Sequence, residues 1–221
     1  MTVDSQQGPE DITRGMGPPD IRCRCEGLCK SYGRKRVLDG CTFALRRGEI
    51  VGLVGENGSG KSTLVRCLLG FTPPTSGRVT LCASLGYCPQ DDLLNRRITV
   101  EEHLSLMRAI LERTHRMDES FTSALLSRLR LVPFRRTRIG ELSGGTYQKV
   151  KFVTSVLHRP DLVLFDEPCD GLDWAMYQVF WEIVTELKEA GTSVLMVSHM
   201  IHDRSHFDRI LELREGAVAD G

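Results

Sequence analysis

With 221 residues, 41% of them hydrophobic and 26% charged, the chain has the composition of an ordinary soluble globular protein and the length for one good-sized domain. Twenty-nine basic residues balance twenty-nine acidic ones, so no net field draws the chain to nucleic acid or an anionic membrane, and no nucleic-acid partner is expected. No stretch approaches the roughly eighteen apolar residues of a membrane span, so a membrane role calls for a second subunit.

In chain order, residues 1–20 are polar and rich in Gly and Pro, lack the regions of a signal peptide, and read as a mobile tail. The domain is expected over residues 21–221. Segments IRCRCEGLCKSY and CTFALRRGEIVGLVG read as strands with turns between them, the second broken at Arg46, Arg47 and Gly48. Cys23, Cys25 and Cys29 invite a metal reading, but no paired C-x-x-C and no second half-site is present. Cys23 and Cys25 alternate as same-face strand residues do, so reduced core or surface thiols are expected. EIVGLVG is a short apolar run ending in glycine, the pattern of a buried parallel strand entering a loop. KSTLVRCLLG follows as a helix closed by Gly70, FTPPTSG is a turn, and RVTLCASLGYCPQ carries two more short strands.

The middle is helical. Thr99 and Glu102 form a T-x-x-E capping box, with Val100, Leu104, Met107 and Leu111 along one face. Asp118 is placed to cap a second helix with Phe121, Leu125 and Leu129 inside. In ELSGGTYQKVKF a serine and two glycines precede a helix predicted over residues 146–158, and bare amides at a helix start suit an anion. PDLVLFDEP and TSVLMVSH return as buried strands, and DRILELREGAVADG ends the chain as a strand and turn. The alternation predicts an α/β fold: a mainly parallel sheet with helices on both faces and a helical insertion at about residues 91–140.

Gly55, Gly60, Lys61 and Ser62 satisfy G-x-x-x-x-G-K-[ST] between an apolar strand and a helix, the context a P-loop requires. The loop, Gly55, Glu56, Asn57, Gly58, Ser59, Gly60, Lys61, Ser62 and Thr63, is expected to wrap phosphates with its backbone. Lys61 would supply charge to the β- and γ-phosphates, and the Ser62 hydroxyl would ligate Mg²⁺. In LVLFDEP, Asp166 would lie near the metal and Glu167 near an attacking water.

Taken with Leu142, Ser143, Gly144, Gly145 and Thr146, these residues resemble the ABC-type ATPases, whose signature sequence LSGGT matches. The order of P-loop, Gln90 in CPQ, LSGG, LFDEP, GLD and His199 in VSH agrees with that family from about Ile21 to the C-terminus. The resemblance implies a P-loop NTPase with a mainly parallel core sheet, a small antiparallel β lobe and a helical signature subdomain. It also implies ATP and Mg²⁺, and two nucleotide domains meeting head to tail. Ser143, Gly144 and Gly145 of one copy would then face ATP on the P-loop of the other, giving two composite sites in a homodimer. By the same likeness Tyr32 stacks on adenine and Gln90 links Mg²⁺ and water to the permease-facing lobe. Asp173 communicates across the dimer, and His199 senses the γ-phosphate.

The implied function is an ATPase subunit, peripheral on the cytoplasmic face of the membrane, that powers a separate permease through its helical block. GYCPQ, TVEEHL and LSGGT look more like exporters than importer subunits. An importer subunit and a soluble ABC ATPase of translation or DNA maintenance are the alternatives. Translation factors of this kind resemble two fused nucleotide domains, and the DNA-maintenance types carry long coiled coils, neither of which this sequence contains. A nucleotide-gated scaffold without turnover is opposed by Glu167 and His199. A metal triad of His199, His202 and His206 is disfavoured. Three departures from the family pattern stand out: Thr146 where glutamine is commoner, the short CASLG connection, and Cys169 beside Pro168.

Overall fold

A computed structural model describes residues 12–14, 20–115, 117–199 and 203–220. The chain folds as two sheets that share a core. The smaller has strand order β1-β5-β2-β3. It is built from β1 (Ile12–Arg14), a long hairpin of β2 (Ile21–Tyr32) and β3 (Lys35–Arg46), and, beyond β4 (Ile50–Val54) and helix α1 (Lys61–Leu68), β5 (Ser76–Leu81). β2 is antiparallel to both of its neighbours, while β1 runs parallel to β5. Within the stretch read as a tail, Ile12–Arg14 thus pair with the sheet and the Asp20 carbonyl accepts from the Arg47 N–H at 2.8 Å; residues 1–11 and 15–19 lie outside the described residues.

The remaining elements are β6 (Leu85–Cys88), α2 (Val100–Leu111), α3 (Glu119–Arg128), α4 (Gly144–Val156), β7 (Leu162–Asp166), α5 (Trp174–Glu189), β8 (Ser193–Val197), β9 (Arg209–Arg214) and β10 (Ala217–Asp220). The larger sheet has order β10-β9-β4-β8-β7-β6, parallel throughout except for the antiparallel edge β10. The predicted terminal strand and turn is therefore a hairpin, β9–β10.

Period-two alternation divides this sheet between two cores. Val163, Phe165, Val194 and Met196 face one cluster with α2 to α5, whereas Leu162, Leu164, Leu195 and Val197 face the other with α1 and the small sheet. Burial on both faces explains why LVLF and SVLMV show no polar alternation. Phe152 of α4, Phe165 of β7 and Phe180 of α5 meet in a triad with ring centroids 5.0 to 5.6 Å apart. Truncating such a ring to alanine costs roughly 3–5 kcal/mol, so the triad fixes α4 firmly beneath the strand that ends in Asp166.

Local caps set the helical block. The Thr99 Oγ accepts from the Glu102 N–H at 3.2 Å and the Glu102 carboxylate accepts from the Thr99 N–H at 2.7 Å, as the capping box requires. Asp118 caps α3 through the Phe121 N–H at 3.1 Å. α4 begins two residues earlier than the predicted 146–158. Ser143 is its N-cap, so both glycines belong to the first turn. Gly145 is required there: a Cβ would lie 2.5 Å from the Gly171 carbonyl oxygen. α5, between the two buried strands, was not singled out in the sequence; Asp173 caps it through the Met176 N–H at 2.8 Å. No helix among the described residues is long and apolar enough to cross a membrane.

Candidate functional site

The loop between β4 and α1 is shaped by Gly60. Its φ of 110° suits glycine, and a Cβ there would sit 2.9 Å from the Val37 carbonyl oxygen. No side chain caps α1 and no acidic residue occupies its first turn, leaving amides and the positive end of the helix toward the cleft. The Lys61 ammonium reaches back to the carbonyls of Gly55 at 2.6 Å and Glu56 at 3.0 Å. The Ser59 hydroxyl is shielded from solvent and has no hydrogen-bond partner among the described residues.

A cleft of about 350 Å³ opens over this loop. Asn57, Gly58, Gly60, Lys61, Ser62 and Thr63 form its floor, and Gln90, Asp166 and Glu167 close one side. Lys35 and Val37 of the hairpin close the other, two residues the sequence reading did not single out. Tyr32 does not line this cleft. It sits opposite Lys35 in the β2–β3 pairing, 49% exposed, with the Lys30 ammonium 5.3 Å from its ring centroid.

Burial pushes the Asp166 carboxyl up to about 6, helped by the carboxylates of Glu167 and Asp91 and opposed by the ammonium groups of Lys61 and Lys151. The phosphate-side features (an orphan hydroxyl, uncapped amides and a lysine held by carbonyls alone) fit a polyphosphate. The oxygen donors of Ser62, Gln90 and Asp166 fit Mg²⁺, a hard cation. An excess of buried negative charge at Asp166 is what such a cation would neutralise.

Glu167 stands at φ 50°, a left-handed conformation unusual for its type. Its nearly buried carboxylate accepts from the Ser198 hydroxyl at 3.1 Å and the His199 N–H at 2.8 Å, and meets His199 Nδ1 at 3.0 Å. The turn after β7 and the end of β8 therefore meet at one carboxylate, through a Ser198 that the VSH motif contained but the reading passed over.

The remaining predicted residues lie elsewhere. Ser143, Gly144 and Asp173 are exposed and do not line the cleft. Gly145 packs on Gly171, so the glycine tip of α4 and the GLD loop form one continuous surface. The cleft and this surface are separate halves with no group in common.

A family model described as ABC transporter matches residues 38–170. The chain belongs to the ABC transporter family. Among relatives, an uncharacterised ABC transporter ATP-binding protein of Methanocaldococcus jannaschii is 34% identical over 88% of this chain and 75% of its own length. The Nod factor export ATP-binding protein I of Rhizobium meliloti is 31% identical over 92% of this chain, which spans 65% of that relative. A solved ATP-binding subunit of an ABC transporter superposes with a TM-score of 0.82 at 28% identity, over 90% of this chain and 89% of the other. A bacterial Atm1-family exporter with ATP bound shares the fold alone, with a TM-score of 0.80 at 22% identity over 99% of this chain and 41% of the other. The chain is an ATP-binding subunit of an ABC transporter, with the P-loop fold that the motifs implied.

In this ABC subunit the other titratable clusters are structural. All eight cysteines are free, and burial pushes the Cys23 and Cys169 thiols up to about 12, far from a reactive thiolate. His206 stacks on Trp181 with centroids 4.1 Å apart, and His202 lies outside the described residues. Among the described residues no group of three His, Cys, Asp or Glu side chains is placed to hold a metal ion.

Proposed function

We propose that this chain hydrolyses ATP in a head-to-tail pair of copies and powers export through a separate membrane permease. The observation that carries the reading is the division of the site. Lys61, Ser62, Gln90, Asp166 and Glu167 converge on one cleft, while Ser143 and Gly144 stand exposed outside it, with the half-buried Gly145 beside them. An exposed helix tip with free amides is an anion site that its own chain leaves unused.

In this mechanism the loop amides and Lys61 hold the β- and γ-phosphates of ATP, with the Ser59 hydroxyl gaining the partner it lacks. Ser62, Asp166 and Gln90 would hold Mg²⁺, which supplies charge neutralisation on the phosphates. Glu167 takes a proton from water as the water oxygen bonds to the γ-phosphorus; the bond to the ADP oxygen breaks, releasing ADP and phosphate. His199 and Ser198, already on the Glu167 carboxylate, orient it. Tyr32 borders the adenine, and Asp173, beside the partner-facing tip, relays between copies. Ser143 to Gly145 from the second chain close over the γ-phosphate, so its loss opens the pair.

The permease contact is assigned to the helical block after Gln90, where Leu106 and Ile110 are each 53% exposed on α2. The subunit would then sit peripherally on the cytoplasmic face. Export is favoured over import by the relatives named for Nod factor export. The deciding experiment is a pull-down from detergent-solubilised membranes alongside steady-state ATPase assays. Recovery of a multi-span membrane protein supports the reading, and recovery of ribosomes or DNA complexes alone overturns the transport role.

A further inference from the structure

α4 carries a lysine where its packing calls for an apolar residue. Lys151 lies among Val150, Phe152 and Val153, all buried, and is itself 4% exposed. Its Nζ donates to the carbonyls of Pro89 at 2.8 Å and Gln90 at 3.0 Å. No ion pair to a carboxylate forms at Lys151 among the described residues; the Tyr147 ring, one helical turn away, lies 5.5 Å from Nζ. Burying an ammonium is costly unless every donor is used. If α4 needed only to pack on β6, a methionine or leucine would serve better.

The same helix holds the adjoining segments. The Tyr147 hydroxyl accepts from the Leu94 N–H at 3.1 Å, just beyond Gln90. The Gln148 amide donates to the carbonyls of Glu167 at 3.3 Å and Pro168 at 2.9 Å. Three side chains of the helix that begins at Ser143 therefore grip the two backbone segments that carry Gln90 and Glu167. The Lys151 charge also reaches the cleft, acting against the burial that raises Asp166 and Cys88.

We propose that Lys151 is a positioning residue for Gln90. By holding the Pro89 and Gln90 carbonyls, its ammonium sets where the Gln90 side chain enters the cleft. It thereby ties the partner-facing tip of α4 to the nucleotide cleft of its own chain. The effect on turnover rests on the ATPase reading above; the clamp itself does not.

Amide hydrogen exchange on the nucleotide-free full-length chain tests the clamp, and ATP turnover tests its use. Lys151→Met keeps the volume and removes the donors. It is expected to speed exchange across residues 90–96 at least ten-fold while the rest of α4 keeps its protection. It should also lower kcat about ten-fold with KM for ATP within two-fold. Lys151→Arg, which can still donate to both carbonyls, is expected to restore slow exchange and most of kcat. Unchanged exchange at 90–96 in Lys151→Met overturns the proposal, as does equal loss of kcat in both variants in step with melting temperature. Should Lys151→Met fail to fold, Lys151→Gln retains one donor and is expected to give intermediate exchange; wild-type exchange there also overturns it. A wild-type chain with no ATP turnover would count against the ATPase reading and leave exchange alone to decide the clamp.

Discussion

The cleft over the P-loop and the tip of α4 are both built from glycine-rich turns at helix starts, yet they are finished differently. The cleft gathers groups from β3, the P-loop, the end of β6 and the end of β7, and its acidic wall is buried enough to push Asp166 up to about 6. The tip of α4 offers Ser143 and Gly144 to solvent with no wall around them. A phosphate site needs several convergent donors and exclusion of water, which the cleft supplies and the tip by itself does not. The contrast teaches that a nearly complete pocket and an unwalled glycine tip sit apart on one chain; in the pairing proposed above, the tip would cover the pocket of a second copy.

Removing charge from the cleft should have the largest effect. Lys61→Ala is expected to cut ATP turnover by about 10²- to 10³-fold, the scale for losing a preorganised donor to developing charge. Unchanged steady-state hydrolysis would end the P-loop assignment. Glu167→Gln keeps the shape but loses the base, so turnover should fall by about 10²-fold or more while ATP stays bound. Light scattering should then show dimers accumulating with ATP; a variant that turns over normally and stays monomeric would break the contrast between the two halves.

The tip should respond less, and only in trans. Gly145→Ala forces its new methyl toward the Gly171 carbonyl and should slow turnover about ten-fold, with ATP binding to the separated chain unchanged, as titrated calorimetrically. Mixing Lys61→Ala with Gly145→Ala chains should recover part of the activity, since one composite site in the mixed pair is intact. Absence of recovery, with both variants folded, would place the tip outside the site.

Acidity sharpens the comparison from the cleft side. The folded Asp166 carboxyl titrates near 6 against an ordinary value of 3.8, so in this window the folded chain holds more protons than the unfolded one. Stability of the nucleotide-free chain therefore falls as pH rises from about 4 to 6. Asp166→Asn should be more stable than wild type in urea at pH 7 and indistinguishable from it at pH 4. An equal gap at both pH values would contradict the burial described.

The smallest effects separate capping from function. Ser143→Ala and Thr99→Ala each remove an N-cap, at about 1 kcal/mol or less by chemical denaturation. Only Ser143→Ala should also slow ATP turnover. If both variants leave turnover alike, Ser143 is a cap and nothing more.

Short-range features were legible in the sequence. The capping box of Thr99 and Glu102, the Asp118 cap, the P-loop and the uniformly apolar strands all appear where the residues place them. Each depends on neighbours close in the chain: a cap and its N3 residue, a glycine loop between strand and helix, or an unbroken apolar run. α5 is less legible because the aromatic residues along its one broad face end in different surroundings: Phe180 is buried in the core cluster with Val194 and Met196, Trp181 stacks on His206, and Trp174 is exposed. β1 escaped because Ile12–Arg14 show a pairing partner only once β5 is folded beside them.

The sequence by itself determined what each segment is: a phosphate loop, a strand ending in two carboxylates, a glycine tip before a helix. Only the tertiary structure decided which of them share a cavity. Whether the Ser198 hydroxyl reaches Glu167, whether Lys151 reaches Gln90, and whether Ser143 stands outside the cleft of its own P-loop depend on the order β9-β4-β8-β7-β6 and the seat of α4. Those contacts join residues far apart in the chain, and packing energy spread over two whole cores, rather than any local preference, brings them together.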